Sequence, residues 1–331
     1  SQFQIDHSFY TPFEQDVKSY DDVSIKKISG FPENSTNKMY SIFRKLIYNS
    51  SLSRFVPYDS MVEKLSKKIV NGIERDQDST DIFQGELIVG SLAAIKLAQK
   101  FNKKSIIDIH NIWAIELVED GFLKETSSRF KELMKLEKYT IDNSDGIIVV
   151  NEYMKNFIIE KFDADSKKIV VVPPGGEHLL HGGLSTINSE RFREKKIIYA
   201  GLVNKREHVD LFVESIPKIQ EKSKNTHFVI SQQGEEIQNI QKLCTTLSLK
   251  PFFYWNDSRE EARNFFKTCY LGILPSNDNI SRKLGTPLKL LEYMSLGLPV
   301  VANDVGSWCK EIQENHLGLL CSNDPADMAE K

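Results

Sequence analysis

Short apolar runs of strand length alternate with amphipathic stretches of helical spacing along most of this chain. That alternation admits little other than a parallel α/β fold built from βαβ units. In the first half the expected strands are 23–28, 105–109, 146–150 and 169–172. Between them, 89–101 and 127–141 read as helices; Val89, Leu92, Ile95, Leu97 and Phe101 give the first its apolar face. Pro173-Pro174-Gly175-Gly176 and the polar, Gly-rich stretch to about Glu194 interrupt both element types, which predicts a boundary between domains 1–174 and 175–331. Beyond it, strands 196–200, 227–231, 270–274 and 299–302 end in Gly201, Gln232-Gln233-Gly234, Pro275-Ser276 and Asn303-Asp304. Helical patterns such as 209–222 and 235–247 follow. Two doubly wound halves place a ligand in the crevice outside the carboxyl ends of their strands.

Composition narrows the class. The 331 residues are 40% hydrophobic and 27% charged, values of an ordinary globular protein, and the net charge of −3 makes the whole chain no generic polyanion binder. No nucleic-acid partner is expected. The longest apolar run, Ile169-Val170-Val171-Val172, is strand length and far short of the roughly 20 residues of a membrane span. Cys244, Cys269, Cys309 and Cys321 show no metal or disulfide spacing and are expected as buried free thiols in a reducing compartment. One segment departs from the average: 25–75 holds ten Lys/Arg and four Asp/Glu, with Phe31, Tyr40, Phe43, Tyr48, Phe55 and Tyr58 interleaved. It reads either as a solvated helical hairpin or as a surface for anionic lipid or a polyanionic acceptor.

Familiar nucleotide and hydrolase signatures are missing: there is no GxxxxGK[ST], no GxGxxG after a strand, no GxSxG and no HExxH. Asp163-Ala164-Asp165 has the spelling of a metal-binding pair but falls in a polar turn between a helix end and strand 169–172. The informative stretch is Gly285-Thr286-Pro287-Leu288-Lys289-Leu290-Leu291-Glu292-Tyr293-Met294, continuing to Ala302. Gly285 permits close backbone approach, and Pro287 suits a first helical turn. A helix starting there offers the free amides around Leu288 and Lys289 to a diphosphate. Glu292, near the next turn, suits a bidentate acceptor for ribose hydroxyls.

This stretch resembles the donor-site signature of glycosyltransferase family 4, a group of retaining enzymes of GT-B fold. Weaker similarities cover roughly residue 81 to the end. Ile197–Leu202 with Lys205 and Arg206 is similar to the family's first donor-domain strand and its diphosphate-holding loop, and Phe228–Gly234 to the glycine loop near the nucleoside. Phe253-Tyr254-Trp255-Asn256 takes the place of the loop packing on the base, and Ile107–Asn111 resembles the strand ending in the acceptor-side histidine, His110. The chain departs from the family in four places. Of two family glutamates with seven residues between them, only Glu292 is present; the other position is Leu284, leaving Asp278 or Asn279 to reach the donor sugar. The arginine after Gly201 is Leu202. The family's N-terminal strand and glycine loop are reduced at best to Phe9-Tyr10-Thr11-Pro12-Phe13, and the chain stops at Lys331 short of the family's C-terminal helices.

The resemblance implies two Rossmann-like doubly wound parallel-sheet domains facing a central cleft, the N-terminal one on the acceptor side and the C-terminal one binding the donor. It implies a cytoplasmic retaining transferase, peripheral at the inner membrane face, moving a sugar from a nucleotide-diphosphate sugar to a glycan or lipid-linked acceptor, without cofactor or metal. His110, Lys205 and Arg206 are the expected catalytic residues. Gly201, Gly234, Trp255, Asp278, Gly285, Thr286, Leu288, Lys289 and Glu292 are the expected donor contacts. The alternative from another class is a non-catalytic sugar-nucleotide or glycan binding protein, which turnover of any sugar nucleotide would exclude.

Overall fold

The computed structural model describes residues 7–11, 23–27, 58–73, 80–176, 194–254 and 259–331. Most of the basic 25–75 segment, and with it the surface expected there, lies outside the described residues. The chain divides into two compact units: one reaches Val149 and resumes over Lys155–Val171, the other takes Val150–Met154 and everything from Val172.

In the first unit, β1 (His7–Thr11) and β2 (Val23–Lys27) form a parallel pair, so the Phe9–Thr11 remnant is a strand. After α1 (Tyr58–Ile73) comes β3 (Ile82–Glu86), which the sequence reading missed. Its alternation spans only five residues and is broken by Gly85, too little for a period-2 signal. There follow α2 (Leu87–Phe101), β4 (Lys104–Ile109), α3 (Trp113–Glu119), α4 (Ser128–Asn143), β5 (Gly146–Val149), α5 (Glu152–Phe162), whose first residues to Met154 belong to the second unit, and β6 (Ile169–Val171). Strands β3-β4-β5-β6 lie in that order in one parallel sheet. Helix α2 buries Ile88, Leu92, Ile95 and Leu97, each of which contributes roughly 1.5–3 kcal/mol on leaving water. Asp163-Ala164-Asp165 is the turn expected: Asp163 has a positive φ of 57° and the Asp165 carboxylate accepts from the Lys167 amide.

Helix α4 starts where Ser127 caps it, its side chain accepting from the Phe130 amide, and carries one buried acid. Glu137 is 5% exposed, and the Trp113 amide donates to its Oε1 at 3.2 Å. Burial pushes this carboxyl up from 4.5 to about 8, the Trp113 amide opposing and Glu116 adding to the rise. The folded chain therefore keeps the proton across a range in which the unfolded chain has lost it. The contribution of Glu137 to stability is complete below pH 4.5 and declines as the pH climbs to about 8. Glu137→Gln, which keeps the shape of the protonated acid, is expected to remove this decline. The slope lost is at most ~1.4 kcal/mol per pH unit, read as Tm of variant against parent between pH 5 and 8.

The second unit runs β7 (Lys195–Tyr199), α6 (Val209–Lys222), β8 (Thr226–Ser231), α7 (Ile237–Thr246), β9 (Phe252–Tyr254) and α8 (Arg259–Phe266). It continues through β10 (Leu271–Leu274), α9 (Ile280–Leu284), α10 (Leu288–Ser295), β11 (Val300–Asn303), α11 (Trp308–Glu314), β12 (Gly318–Cys321) and α12 (Pro325–Glu330). The six strands are all parallel in the order β12-β11-β10-β7-β8-β9. The chain builds outward from β7 to β9, then returns to place β10 on the other side of β7. That reversal makes the gap beyond β7 and β10 the topological switch point of a doubly wound sheet. Alternate residues of β7 feed opposite cores: Ile197 and Tyr199 pack with Phe212 and Ile230, Ile198 and Ala200 with Leu290 and Tyr293. All four cysteines are buried and free, as expected. Among the described residues no helix is long and apolar enough to cross a membrane.

Candidate functional site

The carboxyl ends of β7 and β10 meet in a buried charge cluster. After β7 the chain turns at Gly201, whose φ of +143° favours a residue without Cβ, and enters a short turn of 3₁₀ helix over Lys205–Glu207. The turn is capped by Asn204, whose side chain accepts from the Arg206 and Glu207 amides. Its last residue, Glu207, points inward, its side chain 10% exposed. Arg282 of α9 grips this carboxylate with both terminal nitrogens, at 3.1 and 3.5 Å, and reaches Ser276 Oγ beyond β10 at 3.2 Å. Lys289 of α10 places its ammonium on Glu207 Oε2, the oxygen that Arg282 holds at 3.5 Å, and lies 3.3 Å from the Tyr199 hydroxyl and 4.8 Å above the Tyr199 ring.

Two cations share one carboxylate here, and Lys289 is only 12% exposed. Burial of the ammonium pulls Lys289 down to about 8 against the attraction of Glu207. Burial pushes Glu207 up, but Lys289 and Arg282 outweigh it and leave the carboxyl below its ordinary value. Lys289 and Arg282 thus set two cations against the one Glu207 carboxylate, with Glu292 the next acid whose charge acts on Lys289. The cluster sits against the Gly201 turn: a Cβ on Gly201 would fall 2.9 Å from Lys289 Cε. Two cations sharing one carboxylate beside a glycine turn at a switch point are chemically suited to an anion.

Lys205 is exposed and Arg206 half-buried on the turn above this cluster. Gly234 follows β8 with φ +130°; its Cα packs so closely on the loop after Gly201 that a Cβ would meet the Val203 carbonyl oxygen at 2.1 Å. Gly285 and Thr286 form the approach to α10 and are half-buried, while Leu288 is exposed. Within this unit the Asn151 carboxamide holds the approach, donating to the carbonyls of Leu284 (2.9 Å) and Gly285 (3.2 Å) and to Thr286 Oγ1 (3.3 Å). Pro287 precedes α10 as its N-cap, one position before the helical turn expected for it. Glu292 is half-buried on α10, next in the chain to Tyr293. The Tyr293 ring is fully buried, and its hydroxyl accepts from the Ala200 amide at 2.8 Å.

Other positions singled out in the sequence have partners of their own in the fold. Asp278 is exposed and ion-paired with Lys283, and the Asn279 side chain is spent capping α9 on the Arg282 amide. Leu284 is fully buried, so the position of the missing glutamate belongs to the core of this unit. Phe253 and Tyr254 lie in an edge strand, not a loop, and the Tyr254 ring stacks on Phe265 at 4.3 Å. Trp255 lies outside the described residues. Glu207 and Arg282 were missed. Glu207 reads locally as one more charge in Asn204-Lys205-Arg206-Glu207-His208, and its partners are 75 and 82 positions away.

His110 belongs to the first unit, where it follows β4 and is half-exposed. Its Nε2 lies 3.3 Å from Asp108 Oδ1, and the polar atoms of Glu86, Asp108 and His110 all fall within 4.8 Å of one another.

Known proteins share this arrangement of elements. The family model described as Glycosyltransferase Family 4 matches residues 80–176, and that described as Glycosyl transferases group 1 matches residues 194–331. D-inositol 3-phosphate glycosyltransferase of Corynebacterium jeikeium is 24% identical over 67% of this chain and 56% of its own length. An uncharacterized glycosyltransferase of Methanocaldococcus jannaschii is 24% identical over 59% of this chain and 50% of its own length. The chain spans about half the length of these curated relatives. A sucrose-phosphate synthase of Thermosynechococcus elongatus superposes with a TM-score of 0.69 at 16% identity, covering 98% of this chain and 77% of that one. Anabaena HepE in complex with UDP and glucose gives 0.64 at 12% identity, covering 98% and 88%. The fold is the GT-B class of two parallel-sheet α/β domains. The chain belongs to the family-4-like glycosyltransferases.

Proposed function

We propose that the chain transfers a sugar, with retention of anomeric configuration, from a nucleotide-diphosphate sugar to a hydroxyl of a glycan or lipid-linked acceptor. The observation that carries this reading is the buried cluster of Lys289, Arg282 and Glu207 at the β7/β10 switch point. In this reading the second unit binds the donor. The diphosphate lies along the Gly201 turn, against Lys289 and Arg282 and under Lys205 and Arg206, with the first amides of α10 at its other side. Glu292 accepts the ribose hydroxyls. As the glycosidic bond breaks, negative charge grows on the β-phosphate oxygens, and fixed cations in a site shielded from water stabilise that charge with little reorganisation. His110 serves the acceptor side, and contact of the basic 25–75 segment with an anionic membrane is part of the same proposal.

Four protein cations around one diphosphate make a metal ion unnecessary to neutralise it. Release of nucleoside diphosphate from a panel of UDP-, GDP- and ADP-sugars is therefore expected to persist in EDTA and to fall steeply in the Lys205→Ala/Arg206→Ala double variant. Strict dependence on Mg²⁺ or Mn²⁺ would contradict this. The burial of Leu284 favours one second reading, a sugar-nucleotide binding protein that does not catalyse transfer, because no carboxylate at that position anchors the sugar. Turnover of any donor in the panel excludes it.

A further inference from the structure

We propose that Asp108 is the positioning residue of His110: it takes the ring's Nε2–H, fixes the plane of the imidazole and leaves Nδ1 as the nitrogen that meets a substrate oxygen. The proposal rests on the reading of His110 as the residue facing the acceptor side. It begins in the strand register. β3 and β4 run parallel with Glu86 opposite Asp108, so two carboxylates stand side by side where the strands end. Residues two apart along an extended chain share a face, which brings His110 over Asp108. The ring nitrogen and the carboxylate oxygen are 3.3 Å apart. Exposure assigns their roles: the Asp108 side chain is 16% exposed and the His110 side chain 46%, so the carboxylate is the fixed partner and the ring the presented one.

Charge acts in the same direction. The hydrogen bond to Asp108 raises His110 above its ordinary value, partial burial opposes the rise, and the charges of Asp108 and of Glu86 on the neighbouring strand add to it. The imidazole is therefore held cationic further into the neutral range than a free one, and Nδ1 is then a hydrogen-bond donor. A donor at that atom fits a sugar or hydroxyl oxygen with a lone pair to offer. Once the ring loses its proton, Nε2 keeps the hydrogen shared with Asp108 and Nδ1 becomes an acceptor.

The test is ¹⁵N-histidine NMR of the unliganded chain, with the His110 signal assigned by its loss in His110→Gln. In the parent, the His110 titration midpoint is expected above 6.5 and the neutral ring is expected to carry its proton on Nε2. Asp108→Asn keeps an acceptor but removes the charge; its midpoint is expected to drop towards 6.5 while the tautomer is kept. Asp108→Ala is expected to lose the tautomer preference as well, and Glu86→Gln to lower the midpoint by less than Asp108→Asn. In turnover, Asp108→Asn is expected to lower kcat at high pH while leaving KM for the donor near that of the parent. An unchanged midpoint in Asp108→Asn, or a parent ring protonated on Nδ1 when neutral, would overturn the proposal. These spectra need no substrate, so they can fail while nucleotide-sugar turnover succeeds, and the reverse. Should Asp108→Ala fail to fold, the isosteric Asp108→Asn carries the test alone.

Discussion

Replacing Lys289 by methionine is expected to lower kcat/KM for the nucleotide-sugar donor by roughly 10²–10³-fold, the loss of a desolvated, charge-assisted contact to phosphate worth about 3–4 kcal/mol. Methionine keeps most of the volume of the lysine stem, and Arg282 remains on Glu207, so no buried carboxylate is left unpaired. The fold should therefore survive, and an unfolding transition with the cooperativity of the parent checks that it does. The same residue sets a pH dependence. Lys289 is drawn down by burial to about 8, so in the free chain the ammonium is present below that value and lost above it. Affinity for a nucleoside diphosphate is expected to hold up to about pH 8 and to fall through pH 9, whereas Lys289→Met shows weak affinity with no such step. A parent whose affinity is flat from pH 7 to 9.5 would remove Lys289 from the site.

The second large effect is expected at Glu292. Its neighbour Tyr293 is pinned beneath the sheet by the hydrogen bond from the Ala200 amide, which fixes the rotation of α10 about its axis. The backbone from which Glu292 projects is thereby anchored to the core through Tyr293. If it holds two ribose hydroxyls, Glu292→Ala loses two charge-assisted hydrogen bonds, roughly 2–4 kcal/mol, and kcat/KM falls on the order of 10²-fold or more. Glu292→Gln, which can accept at only one oxygen, is expected to fall between. A Glu292→Ala variant with near-parental kcat/KM would sink the assignment.

What the sequence made legible, and what it did not, divides by range. Helix α6 covers the expected 209–222, and the strands around Ile107, Ile147, Ile198, Val229, Ile273 and Val301 stand within a residue or two of their expected places. Most of them hold a β-branched apolar pair or run with Gly, Pro, Asn or Asp close by in the chain, a signal carried by neighbours. The edge strands β3, β9 and β12 were not read because Ile82–Glu86, Phe252–Tyr254 and Gly318–Cys321 lack the run of β-branched residues that makes the short edge strand β6 (Ile169–Val171) legible. Helix α10 and its glutamate were found because the 285–302 stretch is a contiguous motif. The charge cluster was not, because Glu207, Arg282 and Lys289 meet only through the reversal of strand order between β7 and β10. Lys205 and Arg206 were legible because their loop after Gly201 resembles the family's diphosphate-holding loop. The cations nearest to Gly201 in space include one, Lys289, that arrives from a different element. The fate of Leu284 illustrates the same limit: its apolar nature was evident, but only the fold shows that the position is closed to solvent.

The claim that the β7/β10 switch point seats a nucleoside diphosphate is tested most directly by thermal unfolding at pH 7 with UDP, GDP and ADP, on the parent and on Lys289→Met. A ligand at 100 times its dissociation constant adds roughly 2.7 kcal/mol of stability, a rise in Tm of about 5–11 °C for units of this size. At least one of the three diphosphates is expected to raise the Tm of the parent by that much and to leave Lys289→Met unmoved at the same concentration. No shift with any of them, or the same shift in parent and variant, would contradict it.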